Sequence, residues 1–243
     1  LYLSAYGTLS KNSDTLNCII KSPANCGFGA GSYFPMSSSV PEQSGDQSVD
    51  DAYSVCFEQD PTSFPIDIVG RPKIKLILKS NNTHGHLCAR LCDVSPDGLS
   101  TRISYGLLNL NHRDSHENPT VIPVNKEFSI EFDLDQVAYR LLRGNKLRIS
   151  LSNAYWPLVW PAAEQATLTL IKGEILIPIR PKSDDPEYEF PKPECATPWS
   201  RKTIREPKYS NTITTDQMTN AITSEIFDDY GICLLYTSPS PRD

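Results

Sequence analysis

Four residues with metal-ligating side chains, His84, His86, Cys88 and Cys92, follow one another closely in the sequence. Imidazole nitrogens and thiolates are ligands that zinc prefers in proteins. On one extended strand the four side chains share a face, but His84 and Cys92 would lie about 26 Å apart at roughly 3.3 Å per residue. Tetrahedral ligands must converge on one ion, so the spacing favours thiols buried in a core strand. We predict no metal and no other cofactor.

A second group, His112, Asp114 and His116, contains the base and the carboxylate of a nucleophilic triad. These residues are nearly adjacent in a polar run, 109–118, whereas the members of a triad converge from separate elements. We therefore expect a structural role, in which Arg113 binds a carboxylate or loop carbonyls. The chain contains no G-x-S-x-G nucleophile motif, and no catalytic residue is predicted.

The densest aromatic cluster comprises Tyr155, Trp156 and Trp160, and each tryptophan precedes a proline. One interpretation is a sugar-stacking platform in a stand-alone carbohydrate-binding jelly-roll module. The other is packing, because a residue before proline is extended and aromatic side chains bury large areas. We favour packing, with Trp160 internal, so Trp160→Ala is expected to cost about 3–5 kcal/mol of stability. The aromatic loop 27–34 is expected to contribute to an apolar interdomain patch.

Composition limits the classes of function. The chain has 243 residues, of which 39% are hydrophobic and 21% charged, which is typical of a folded globular protein. Its net charge of −6 argues against nucleic acid or an anionic membrane as the main partner. No apolar run approaches the ~18–20 residues that a bilayer requires, so the sequence predicts a soluble protein without a membrane partner.

Cysteine use bears on the compartment. The seven cysteines are an odd number and lack the dense, regular spacing of a small secreted scaffold. Free thiols in a reducing compartment are favoured, which predicts a cytoplasmic location. The triplet Asn81-Asn82-Thr83 is an N-glycosylation pattern and leaves secretion open. Composition leaves homo-oligomerisation open as well.

In the segments that must position these residues, apolar and polar residues alternate with a period of two. This pattern is typical of half-buried antiparallel strands. Twenty prolines exclude long helices almost everywhere. The predicted strands are 53–57, 73–79, 87–94, 101–107, 127–133, 146–152, 166–171 and 175–179.

A turn and a short helix complete the prediction. The string Ser95-Pro96-Asp97-Gly98 is a strong turn that joins strands 87–94 and 101–107 into a hairpin. The stretch Asp135–Arg143 carries a short apolar stripe ended by Gly144 and is the one helical candidate. Many short strands with one helical crossover predict an all-β fold, a jelly-roll (galactose-binding-like) β-sandwich.

Several strings occur in an order that resembles a known family. The order resembles the C-terminal domain of X-prolyl dipeptidyl peptidases and cocaine-esterase-like (CocE/NonD) serine hydrolases over residues 1–180. The strings are Leu1-Tyr2-Leu3, Gly45-Asp46-Gln47, Val69-Gly70-Arg71-Pro72, 89–98, 106–113, 143–148, Leu151-Ser152 and 156–161.

The resemblance implies a larger serine hydrolase in which this jelly roll packs against an N-terminal α/β-hydrolase domain of the same chain. In the family that domain carries the Ser-Asp-His triad and acts on a small acyl ester or amide substrate. The resemblance also implies that Tyr33 and Phe34 are substrate-pocket candidates, which lie against the hydrolase domain and can line its acyl pocket.

Domain organisation follows from these features. We expect a jelly-roll domain over 1–180 and a Pro- and charge-rich extension over 181–232 that is extended and poorly packed. Residues 233–243 look like the in-frame translation of a sequencing adapter and are expected to be a cloning or assembly scar. Because the chain begins with Leu1 and not Met, and because it ends in this adapter-like string, we expect a fragment truncated at both ends.

Overall fold

The computed structural model describes residues 1–32, 43–162, 164–181, 189–197, 200–219 and 221–235. By its internal contacts the chain divides into two units. The described residues up to 181 belong to the first unit, and those from 189 onward belong to the second. Within the described ranges, no helix has the length and apolar character needed to cross a membrane.

The described part of the first unit contains twelve strands and one short α-helix. The strands are β1 (Tyr2–Ser4), β2 (Thr8–Ser10), β3 (Cys18–Ile20), β4 (Val55–Glu58), β5 (Ile66–Gly70), β6 (Lys73–Ser80), β7 (His86–Val94), β8 (Ser100–Asn109), β9 (Phe128–Asp133), β10 (Val137–Leu141), β11 (Lys146–Ser152) and β12 (Leu168–Leu176). The helix is α1 (Ser48–Ala52), and single 3₁₀ turns span Ala5–Gly7 and Leu110–His112.

One hydrogen-bonded path, β8-β7-β11-β4-β2-β1-β12-β6-β9, connects most of these strands, and β3 pairs with β12. All pairs are antiparallel except β2 with β4. Leu91 from one half of the path and Leu78 from the other belong to the same buried core, so the sheet folds back into a sandwich. The Asp135 N–H donates to the Tyr105 carbonyl at 2.9 Å, which brings the two ends of the path close to closure. The predicted all-β sandwich is confirmed.

Alternating strands lie where the period of two predicts them. In β6, Ile74, Leu76 and Leu78 are buried and the intervening lysines are partly exposed. The turn at 95–98 joins β7 and β8 into the expected hairpin. The two strands predicted at 166–171 and 175–179 form a single strand, β12, with an irregular register near Leu170 where it pairs with β6.

The predicted helix over 135–143 is wrong. Val137–Leu141 forms strand β10, which pairs with β5 in a separate two-stranded sheet. Its side chains alternate between exposed Ala138 and Arg140 and the more buried positions between them. Arg140 lies opposite Asp67 and donates from Nε and Nη2 to that carboxylate at 2.6 and 2.8 Å. Backbone pairing with β5 and this cross-strand ion pair stabilise the strand. The apolar stripe that predicted a helix is only a few residues long.

The second unit contains four described strands. They are β13 (Arg201–Arg205), β14 (Lys208–Thr215), β15 (Ile222–Asp229) and β16 (Ile232–Leu235). Strand β13 pairs with β16 and β14 pairs with β15, both antiparallel. The segment predicted to be merely extended therefore has regular pairing, although most side chains of β14 and β15 are exposed. Cys233 lies in β16 opposite Thr203.

Candidate functional site

Strand β7 is buried on both faces, and its two faces differ in chemistry. Leu87, Ala89 and Leu91 join the large apolar core of the sandwich. The alternate residues Cys88 and Arg90 are also buried, on the opposite face of the strand. That opposite face carries a polar network that joins the sheet to residues 26–31 and 45–54.

Arg90 is the centre of this network and is fully buried. Its Nη2 lies 3.0 Å from Oδ1 of Asp51, and the same nitrogen donates to Oγ of Ser54 at 2.8 Å. Its Nη1 donates to Oε1 of Gln47 at 3.1 Å. The guanidinium carbon also lies 5.4 Å from the ring centre of Tyr155, within cation–π range. A buried cation with these partners fixes α1 and its flanks against β7.

Asp51 is the matching anion, and four side chains surround it. Besides Arg90, it accepts from Arg148 Nη1 at 2.6 Å, from Ser100 Oγ at 2.7 Å and from Ser150 Oγ at 2.7 Å. All four donors project from β7, β8 and β11, so one carboxylate ties α1 to three neighbouring strands. Both oxygens of this buried carboxylate therefore accept hydrogen bonds.

Glu58 extends the network toward the surface. Its Oε1 accepts from Arg148 Nε at 2.8 Å, and its Oε2 accepts from Lys146 Nζ at 3.2 Å. Burial acts to raise the pKa of Glu58, but these hydrogen bonds and charges outweigh it and lower the pKa. The carboxylate therefore stays ionised at neutral pH and keeps both cations in place.

The network also holds the chain on both sides of residues 33–42. Asp50 accepts the backbone N–H groups of Gly27 and Gly29 at 2.7 and 2.9 Å. Gln47 donates from Nε2 to the carbonyls of Gly29 and Gly45 at 2.6 and 2.9 Å. The N–H of Gly45 donates to the carbonyl of Gly29 at 3.0 Å. The flanks of segment 33–42 are therefore joined to one another and anchored on buried side chains.

Tyr155 and Gly27 close the network beside the Trp-Pro segment. The Tyr155 ring is fully buried, and its hydroxyl donates to Gln47 Oε1 at 2.9 Å and accepts from Arg102 Nη1 at 2.7 Å. Gly27 has φ of +112°, and a Cβ there would lie 2.3 Å from the Trp156 carbonyl oxygen. Both the backbone angle and the close approach require glycine at this position.

The thiols near this network are shielded from solvent. Burial raises the pKa of Cys88 and of Cys92 to about 12, and burial also raises the pKa of Cys26 and Cys56. A protonated buried thiol is a poor nucleophile and a poor metal ligand. Within the described ranges, no three His, Cys, Asp or Glu side chains lie close enough to hold a metal ion.

The histidines near the start of β7 lie apart from these thiols. His84 precedes the strand and is exposed, and its Nδ1 lies 2.9 Å from Thr83 Oγ1. His86 begins the strand and donates from Nε2 to the carbonyl of Trp160 at 2.9 Å. The structure therefore places the four residues of the sequence cluster in different surroundings.

The group at 112–116 forms a loop braced by Arg113. His112 donates from Nδ1 to the Ser115 carbonyl at 3.2 Å, and its ring stacks on His116 with centres 6.2 Å apart. Arg113 binds Asp114 and donates to the carbonyls of Leu110, Thr120 and Val121 at 3.0–3.2 Å. The predicted role of Arg113 as a loop brace is confirmed.

The prediction that Trp160 is internal is wrong. Tyr155 occupies the buried position after β11, whereas 77% of Trp160 is exposed. The chain turns after Tyr155, where the Val159 N–H donates to its carbonyl at 3.0 Å, and this turn places Trp160 at the surface. Tyr155, the first aromatic of the cluster, therefore packs in the interior, and Trp160, the last, does not.

Both substrate-pocket candidates, Tyr33 and Phe34, lie outside the described residues. Phe28, from the same aromatic loop, is 45% exposed. Its neighbours Gly27 and Gly29 are the two residues that Asp50 holds.

The functional interpretation of the sequence missed Arg90 and its partners. The signal was present, because a single arginine stands inside the otherwise apolar or small-residue run from Leu87 to Cys92. A charge in a strand buried on both faces requires a buried counter-ion. The sequence offered Asp50 and Asp51 next to the string Gly45-Asp46-Gln47, but nothing in their spacing identified the pair.

Comparison with known proteins gives a consistent result. Residues 1–214 match the family described as X-Pro dipeptidyl-peptidase C-terminal non-catalytic domain. Cocaine esterase from Rhodococcus sp. (strain MB1 Bresler) is 22% identical over 103 residues, which represent 42% of this chain and 18% of the esterase.

Two solved structures share the fold. An alpha-amino acid ester hydrolase has a TM-score of 0.65 and 17% identity, and an aminopeptidase from a marine sediment Thaumarchaeota archaeon has a TM-score of 0.66 and 15% identity. Each match covers 74% of this chain and 36% of the other protein. The chain thus spans about a third of the length of these solved relatives.

Proposed function

Because the chain belongs to the family of X-Pro dipeptidyl-peptidase C-terminal non-catalytic domains, we propose that it is the non-catalytic part of a serine hydrolase. The hydrolase would cleave a small acyl ester or an amide through an acyl-enzyme intermediate. Its nucleophile, base and oxyanion donors would belong to an α/β-hydrolase domain of the same protein. The domain described above would pack against the hydrolase domain and support it.

The family match carries this proposal, and the geometry of the described residues supports it. A Ser-His-Asp triad needs a serine, a histidine and a carboxylate that follow one another through hydrogen bonds. His112 instead binds a loop carbonyl, and Asp114 is paired with Arg113. Among the described residues, the buried carboxylate Asp51 has arginine and serine donors as its partners and no histidine.

A role at the acyl pocket is the finer part of the proposal. Gly29 and Gly45, which flank segment 33–42, are joined by hydrogen bonds and held by Asp50 and Gln47. Rigid supporting residues favour a precise binding site, and the two flanks of this segment are supported in that way. We assign Tyr33 and Phe34 to contact with the acyl group on this argument and on the family resemblance.

Expression of the natural gene with its upstream sequence tests the main proposal. We expect a fluorophosphonate probe to label one serine outside these 243 residues, in a protein that hydrolyses p-nitrophenyl esters or X-Pro p-nitroanilides. A gene that encodes no hydrolase domain, or a parent protein that does not react with the probe, would contradict it.

The acyl-pocket role requires a separate test. In the same parent protein, Tyr33→Ala and Phe34→Ala should change the ratio of kcat/KM between short and long acyl esters. Phe64→Ala is the control, because Phe64 is an exposed aromatic of the same unit that lies outside segment 33–42, between β4 and β5. Unchanged acyl preference in both pocket variants would remove this part of the proposal and leave the hydrolase assignment intact.

A stand-alone carbohydrate-binding module is the alternative function. The family assignment favours the hydrolase, because the relatives that this chain resembles are larger esterases and peptidases. The exposed Trp160 favours a carbohydrate, and it is compatible with an accessory ligand site in a protein that is also a hydrolase.

A further inference from the structure

A groove of about 910 Å³ opens beside the exposed indole of Trp160. Its walls are the turn between β6 and β7, the end of β8, and the segment that follows β11. This volume lies in the range of small-molecule sites, roughly 300–1,000 Å³. Neither the proposed hydrolase chemistry nor the buried Arg90 network uses it.

The indole of Trp160 is held in place although it is mostly exposed. His86 donates to the Trp160 carbonyl at 2.9 Å. The ring packs edge-on against Trp156, with ring centres 4.9 Å apart and planes inclined by 63°. Pro161 follows directly and restricts the backbone. A fixed aromatic face in water loses little conformational freedom when a ligand covers it.

The polar side chains that line the groove are three asparagines, two histidines, Thr83 and Glu164. Asn82 donates from Nδ2 to Oε2 of Glu164 at 3.0 Å, and His84 and the exposed Asn109 line the same groove. Among the described lining residues there is no lysine or arginine. That composition disfavours phosphates and nucleic acids, which require cationic contacts. Planar amide and carboxylate groups suit hydroxyl groups, which both donate and accept.

We propose that this groove binds a neutral carbohydrate, with one pyranose ring stacked on the Trp160 indole. The C–H bonds of a pyranose face carry partial positive charge and suit the negative face of the ring. Asn82, Glu164 and Asn109 would bind the hydroxyl groups at the edge of the sugar. The proposal does not depend on the hydrolase assignment, because a hydrolase can carry an accessory sugar site.

Titration of the full chain with sugars tests the proposal. The probes are methyl glucoside, galactoside and mannoside, together with maltohexaose, cellohexaose and xylohexaose. Binding is followed by saturation-transfer NMR and by tryptophan fluorescence up to about 10 mM, which resolves millimolar Kd values. We expect at least one sugar to bind, Trp160→Ala to weaken binding at least tenfold, and Glu164→Gln to weaken it by a smaller factor.

Two controls keep the result interpretable. Phe64→Ala removes another exposed aromatic and should leave the sugar Kd unchanged. The Trp160→Ala variant should have the same melting temperature as the unmodified chain. A loss of sugar binding could then not be attributed to unfolding. Absence of binding across the panel, or binding that persists in Trp160→Ala, would overturn the proposal. It would also be overturned if Trp160→Ala weakened assembly with a hydrolase domain while no sugar bound.

Discussion

Two ionic networks of the first unit use the same kinds of side chain in opposite surroundings. Around Arg90 and Asp51, both side chains are almost completely buried. Between β6 and β9, Lys73 and Lys75 bind Glu131 at 2.7 and 3.3 Å, and these side chains are 39–47% exposed. The distances are similar, so distance alone does not distinguish the two networks.

Burial and the number of partners distinguish them. Asp51 accepts from four side chains on three strands. Removing it takes away the carboxylate partner of Arg90, whereas Arg148 keeps Glu58 as a partner. The lysines of β6 can exchange Glu131 for water at little cost. We conclude that the buried network fixes the position of α1 and its flanks, whereas the surface pairs contribute little to stability.

Removal of the buried anion should have the largest effect. Asp51→Ala leaves a buried guanidinium without its counter-ion and should lower the free energy of unfolding by about 3–5 kcal/mol. Urea unfolding followed by circular dichroism measures this change. A loss below about 1 kcal/mol would mean that water reaches Arg90 and that the contrast between the two networks does not hold.

The buried thiols on this face of β7 should make the folding stability depend on pH at alkaline values. Folded Cys88 and Cys92 have pKa values of about 12, against 9.0 for an unperturbed thiol. Between these values the unfolded state binds fewer protons than the folded state, so stability should fall as pH rises from 9 to 12. The expected slope is about 1.4 kcal/mol per pH unit for each thiol.

The matched variants for this pH dependence are Cys88→Ala and Cys195→Ala. Urea midpoints measured from pH 8 to 10.5 should fall less steeply in Cys88→Ala than in the unmodified chain. Cys195 is exposed, and its replacement should leave the slope unchanged. Equal slopes in both variants would show that Cys88 is not shielded.

The exposed aromatic should contribute little to stability. Because 77% of Trp160 is exposed, Trp160→Ala should change the free energy of unfolding by no more than about 0.5 kcal/mol. Differential scanning calorimetry of the two chains provides the comparison. A loss of several kcal/mol would restore the packing interpretation and remove the basis for a ligand face.

The smallest effect should come from the surface network. Lys73→Ala removes an exposed ion pair with Glu131 and should leave the urea midpoint within experimental error, at low and at moderate salt. A clear salt-dependent loss would show that the β6–β9 pairs act together as a network and not as independent contacts.

The sequence predicted the elements whose pattern is local. Strands such as β6 and β9 have one wet face, so Ile74 and Phe128 alternate with charged or polar residues and give the period directly. The stretch at 137–141 was misassigned, because its partner β5 and the ion pair to Asp67 lie about seventy residues away.

The candidate site was harder to predict for the same reason. The Arg90–Asp51 pair joins residues 39 positions apart, and only the packing of α1 on β7 brings them together. The exposure of Trp160 depends on a turn after Tyr155 that no periodicity marks. Local patterns thus specify strands, whereas buried charge pairs and surface aromatics depend on the assembled fold.

Fluorophosphonate labelling of the 243-residue chain tests its non-catalytic character most directly. The folded chain is incubated with the probe beside chymotrypsin as a positive control, and modified serines are located by mass spectrometry. The account predicts no stoichiometric modification of any serine. Labelling of one serine that is lost on unfolding or in His112→Ala would contradict it, because that chain would then hold its own nucleophile and base.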